Sequence, residues 1–138
     1  MKKYHLIWNA HRHGVGIDSI DRQHKELIRQ VNQIADAVSH GAHNDIVRPM
    51  MEGLVKFAET HFELEKRLME ETEFPARQGH IKEHQGLLKQ MRNLCGDFIG
   101  SNRKRAELVS AFLIDWAELH IMEDDKALGK FLVEKGLS

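Results

Sequence analysis

The sequence predicts an all-α protein, an up-down-up-down four-helix bundle preceded by a non-helical N-terminal arm. Three observations carry this. Apolar residues recur at intervals of three and four in four separate stretches, the period of one helix face. The breaks between those stretches are short, so consecutive helices run antiparallel. Only two prolines occur in 138 residues, with 41% hydrophobic and 30% charged side chains, the make-up of a helix-rich globular domain rather than a disordered or fibrous chain. One domain over residues 1–138 is long enough to bury a single core.

The arm covers residues 1–18 and includes Trp8 and Gly14-Val15-Gly16. The first helix is expected at about 19–39, with Ile20, Leu27, Ile28, Val31, Ile34, Ala35 and Val38 on one face. Asp18 or Ser19 is its expected cap, and Ser39-His40-Gly41 its stop. The second is expected at about 45–72, with Leu54, Phe57, Leu64 and Leu68 inward. Pro49 lies too deep for its first turn, so the regular helix begins nearer Arg48 or is kinked there. Phe74-Pro75 breaks into a third helix, about 76–99, with Leu87, Leu88, Met91, Leu94 and Phe98 inward. Gly100-Ser101-Asn102 leads into a fourth, about 102–129, through Val109, Leu113 and Trp116. A short apolar tail, Phe131-Leu132-Val133, is expected to fold back on the bundle.

Twenty basic side chains nearly balance twenty-one acidic ones, which disfavours nucleic acid and anionic membranes as partners. Arg103-Lys104-Arg105 reads as a solvated face. The apolar stretch after Met1-Lys2-Lys3 stops at Trp8, too short for a signal-peptide core, and no run approaches a membrane span. A lone cysteine, Cys95, excludes an internal disulfide and suits a reducing, cytoplasmic setting. It reads as a packing residue.

Histidine is the anomaly, with ten copies. His5, His11, His13, His40 and His43 fall in the arm and the first loop and read as surface residues. The other five lie inside helices and on apolar faces. His24 shares the stripe of Ile20 and Leu27; His61 is followed four residues later by Glu65; His80 and His84 are four apart; His120 follows Trp116 by four. Groups of this kind are costly to bury without compensation. Residues four apart on a helix stand one above the other, so each pair can grip one ion from one helix. A bound metal is therefore the economical reading. The second carboxylate is open on spacing alone: Asp124 lies ~40° from His120 around a regular helix and Asp125 ~140°, so Asp125 needs a locally widened turn.

Trp8-Asn9, Gly16-Ile17 and Ile20-Asp21-Arg22-Gln23-His24-Lys25 resemble the N-terminal signature of bacterial hemerythrins. His61-Phe62-x-x-Glu65-x-x-x-Met69, Phe74-Pro75, His80-x-x-x-His84 and Trp116-x-x-x-His120-Ile121-x-x-x-Asp125 are similar to their later motifs. The resemblance covers nearly the whole chain and selects Asp125 over Asp124. It implies two iron ions per chain, one held by His80, His84 and His120 and the other by His24 and His61. Glu65, Asp125 and an oxo or hydroxo group would bridge them. Two six-coordinate ions offer about twelve positions, and these groups leave about one open. The ligand types alone would also admit manganese or zinc.

The activity this implies is reversible dioxygen binding for storage or delivery, not enzymatic turnover. The alternatives are oxygen or redox sensing through a partner protein, or a di-iron ferroxidase, peroxidase or nitric-oxide scavenger. Dioxygen is the expected ligand; an oxygen-consuming or signalling protein is the one further partner class allowed. Trp8, Ile20, Trp116, Ala117 and Ile121 are the candidate walls of an oxygen pocket. Ala117 stands where the family commonly carries leucine, which would open or repack that pocket. Lys66 replaces a frequent second glutamate on the solvent side. Asp21 reads as a favourable charge in the first helical turn.

Overall fold

The computed structural model describes residues 6–98, 103–120 and 125–138. His5, the break at Gly100-Ser101-Asn102, Ile121, Met122 and Asp124 lie outside the described residues, as do the side chains of Phe98 and of residues 103–105. Six helices are described: α1 (Ala10–His13), α2 (Asp18–Ser39), α3 (Asn44–Glu71), α4 (Arg77–Phe98), α5 (Arg103–Leu119) and α6 (Asp125–Glu134). The long helices α2 to α5 close into a ring, α2 packing on α3 and α5 and α4 packing on the same two. This is the four-helix bundle expected from the short connections.

Several boundaries differ from the sequence reading. Ile17 precedes α2 in an extended conformation and no side chain caps the helix, so neither Asp18 nor Ser19 serves. Helix α3 runs through Pro49, capped by the His43 side chain, which accepts from the Asp45 N–H. Asp45 to Arg48 are thus helical ahead of the proline, whose missing N–H removes one bond of the ladder. Phe131-Leu132-Val133, expected as a short tail after the fourth helix, is the last part of α6. The arm is short and holds one helical turn, α1, whose N-cap Asn9 accepts from Arg12 N–H.

The apolar interior is split in two. The larger cluster runs from Leu27 to Val38 on α2 through Leu54 and Phe62 to Leu113 and Trp116. The smaller one gathers Val15, Ile17, Ile20, Met69, Phe74, Leu128 and Leu132 at the opposite end. What separates them is a belt of polar side chains, one helical turn from Ile20 on α2 and from Met69 on α3.

The arm and α6 build the smaller cluster together. Gly129 lets them meet: a Cβ there would stand 2.4 Å from the Val15 carbonyl oxygen. Gly16, at φ +85, takes a backbone conformation that L side chains rarely adopt. The Asn32 amide receives Leu6 N–H at 2.9 Å and donates to Leu6 O at 2.8 Å. Lys126 Nζ donates to His11 O and Gly14 O, and Val15 N–H donates to Asp21 Oδ1 at 2.9 Å. Asp21 therefore ties down the arm as well as placing charge in the first turn of α2.

Candidate metal centre

The belt between the two apolar clusters contains His24 from α2, His61 and Glu65 from α3, His80 and His84 from α4, His120 after α5 and Asp125 at the start of α6. All seven are buried, and Glu65 and Asp125 are wholly inaccessible. Their ligand-competent atoms form two groups: His24, His61, Glu65, His120 and Asp125; and Glu65, His80, His84 and Asp125. Only the two carboxylates belong to both.

The distances show how tightly the groups converge. Asp125 Oδ2 is 2.7 Å from His24 Nε2, 3.0 Å from His120 Nε2 and 3.4 Å from His61 Nε2, while its Oδ1 is 3.3 Å from His80 Nε2. Glu65 Oε2 lies 2.9 Å from His61 Nε2, and Oε1 lies 3.4 and 3.3 Å from the Nε2 atoms of His80 and His84. Between them the two carboxylates reach every one of the five imidazoles.

Asp125 reaches the cluster although simple periodicity points it away. His120 lies in a π-helical turn beyond α5, and a widened turn brings residues five apart onto one face. His120 has ring neighbours in both groups. Its ligand atom groups with His24 and His61 rather than with His80 and His84. Its ring nevertheless stands midway, 5.3 Å between centroids from both His61 and His84.

The donor set suits a cation. Glu65 Oε1 and Oε2, Asp125 Oδ1, His80 Nε2 and His84 Nε2 are buried and make no hydrogen bond of normal geometry, though each faces other cluster atoms. Buried polar groups are rarely left so. Acceptors converging on a common centre need protons or metal ions to offset their charge.

Protonation follows the same logic. Burial would lower His80, but Asp125 and Glu65 outweigh it and hold the imidazole up to about 9. His61 is also raised: its burial is overcome by Glu65 and Asp125. Burial pushes His84 down to about 2, with the His120 and His80 charges adding to it. Burial likewise lowers His24, against the opposing pull of Asp125. Asp125 is held well below the usual carboxylate range: His120, Glu65 and His24 outweigh the burial that would raise it. Among these four imidazoles, the surroundings thus favour the charged form of His61 and His80 and the neutral form of His24 and His84.

Aromatic rings line the belt on the side of the larger apolar cluster. Phe62 is stacked on His84 at 4.0 Å and 10°, and Trp116 on His120 at 5.7 Å and 7°. Of the candidate pocket residues, Trp116 is therefore beside the cluster, Ile20 is fully buried one turn from His24, and Ala117 is fully buried among the residues of the larger cluster. Trp8 packs on His13 and lies under Lys25 Nζ.

Two residues hold places that the sequence reading did not give them. Gln23 Oε1 accepts a hydrogen bond from His61 Nδ1 at 2.8 Å; its place in the quoted motif, directly before His24, was the signal. His13, expected at the surface, is 1% exposed. Its Nδ1 accepts from Asn9 N–H and its Nε2 faces Glu118 Oε2 at 3.2 Å, so it fastens the arm to α5. His11, His40 and His43 are exposed as expected. Cys95 is half-buried, its thiol pushed up to about 11 by burial and by Glu52, which leaves little reactive thiolate.

A four-helix bundle with a belt of five histidines and two shared carboxylates across its core defines a metal-binding helical protein. Residues 15–132 match the family model "Hemerythrin HHE cation binding domain", and the chain belongs to the hemerythrin family, whose members are oxygen-binding proteins with a non-heme iron centre. It is 29% identical over 126 residues to a bacteriohemerythrin of Pseudomonas aeruginosa, covering 88% of this chain and 77% of the relative. Among solved structures, a leucine-to-alanine mutant of hemerythrin superposes with a TM-score of 0.82 at 25% identity, over 92% of this chain and 96% of that one. Wild-type hemerythrin gives a TM-score of 0.82 at 24% identity, over 92% and 97%. No described helix is long and apolar enough to cross a membrane.

Proposed function

We propose that the protein binds dioxygen reversibly at a pair of iron ions held by His24, His61, Glu65, His80, His84, His120 and Asp125, and serves oxygen storage or delivery. The observation that carries this is the membership of Glu65 and Asp125 in both ligand groups, the arrangement expected of bridges between two ions. Glu65 and Asp125, with an oxo or hydroxo group, would be shared between the ions. A ferrous pair bound by these residues would supply the electrons that reversible dioxygen binding needs.

The chain's own residues favour reversibility over turnover. Five imidazoles and only two carboxylates bring little negative charge, so the ferrous state is less disfavoured than at a carboxylate-rich site. Phe62 and Trp116, stacked on ligand rings, put apolar surface beside the centre. The smaller cluster, sealed by the arm and α6, covers its other side. Together they limit the water and protons that would make oxidation irreversible. Metal analysis tests the arrangement: protein loaded with iron is expected to hold two ions per chain. One ion per folded chain, with all seven residues intact, overturns it.

A further inference from the structure

Gln23 stands one residue before His24 on α2. Successive helix residues diverge by about 100°, so with His24 directed into the belt, Gln23 is directed sideways, towards α3. There its Oε1 lies 2.8 Å from His61 Nδ1. An amide oxygen only accepts, so Nδ1 carries the hydrogen and donates it. In the neutral ring the lone pair is then on Nε2, the nitrogen 2.9 Å from Glu65 Oε2 and 3.4 Å from Asp125 Oδ2. We propose that Gln23 is a positioning residue for the metal centre, fixing the tautomer and ring direction of His61 so that Nε2 is the atom offered to the ions.

The identity of the partner matters as well as its place. Carboxylates are common second partners of ligating histidines and make the ring a stronger donor. A neutral amide orients the ring without adding charge. It keeps the imidazole a weaker donor and so favours the ferrous state that must survive for oxygen to be released.

The proposal rests on the reading of the belt as a metal centre, and the test separates the two. Gln23→Leu and Gln23→Glu are compared with the parent by anaerobic Fe(II) titration, by the reduction potential of the loaded protein, and by nitrogen NMR of His61 in the full chain without metal. At a pH high enough to leave His61 neutral, the parent is expected to show the Nδ1–H tautomer. Gln23→Leu, which leaves that N–H without its acceptor, is expected to mix tautomers and lose about 10- to 100-fold in Fe(II) affinity. Gln23→Glu restores an acceptor and is expected to recover the affinity while lowering the reduction potential. Leucine and parent proteins of equal affinity overturn the proposal and leave the metal centre standing. So do two variants that lose affinity alike with the potential unmoved, since only packing would then be at stake. A parent that takes up no Fe(II) overturns the metal centre, and the proposal with it.

Discussion

Asp125→Asn keeps the shape of a fully buried side chain and removes its charge. The carboxylate it replaces faces His24, His120, His61 and His80 at 2.7 to 3.4 Å, so four of the five imidazoles lose a compensating partner. Removing one partner of a buried ion pair costs about 3–5 kcal/mol. With an unfolding entropy of about 2.1 cal/mol/K per residue, each kcal/mol moves the Tm of a chain this long by about 3–4 °C. In the presence of chelator the variant should therefore melt about 10–17 °C below the parent. Iron should widen the gap. At free metal about a hundredfold above Kd the parent gains about 2.7 kcal/mol by linkage, while the variant, lacking a carboxylate shared by both ligand groups, gains far less. Calorimetry with chelator and with iron reads both effects, and Asp124→Asn is the control expected to leave them unchanged. An Asp125→Asn protein that melts with the parent and gains as much from iron would refute the reasoning.

The protons on the cluster give a second prediction. His80 is held up to about 9, so metal binding at neutral pH should release about one proton per chain from this group; calorimetric titration in buffers of different ionisation enthalpy measures it, and no release contradicts the assignment. In chelated protein His80, held up to about 9 against an ordinary value of 6.5, contributes stability that is full below 6.5 and lost as the pH rises through 9. The melting temperature should fall over that interval, and His80→Gln should flatten the fall. Gly129→Ala puts a Cβ 2.4 Å from Val15 O and 2.5 Å from Val15 Cβ, forcing the arm and α6 apart. A loss of about 1–3 kcal/mol is expected, and an unchanged denaturation midpoint would show that the arm can simply shift.

Much of this site is legible in the sequence because helices are periodic. His61 with Glu65, and His80 with His84, had to share a face with the apolar residues around them, and that face had to be buried. Asp125 was not legible by period, because the π-helical turn at His120 departs from regular geometry; only the resemblance selected it. His13 was misread because the arm has no period to betray an inward side, and its burial depends on contacts with Asn9 in the arm and with Glu118 on α5. Gln23 was passed over for another reason. A glutamine beside a ligand looks like an ordinary exposed amide until α3 brings His61 within hydrogen-bonding distance. The fourth helix, expected at about 102–129, is described as α5 up to Leu119 and as α6 from Asp125.

The most direct test of the central claim is an optical cycle on the iron-loaded protein. It is reduced without oxygen, exposed to air, and then returned to an oxygen-free atmosphere, with a spectrum taken at each stage. Reversible dioxygen binding predicts an absorption band that forms in air, disappears when oxygen is removed, and forms again over repeated exposures. Direct oxidation to a stable ferric spectrum on first contact with air, or no spectral change at all, would contradict it.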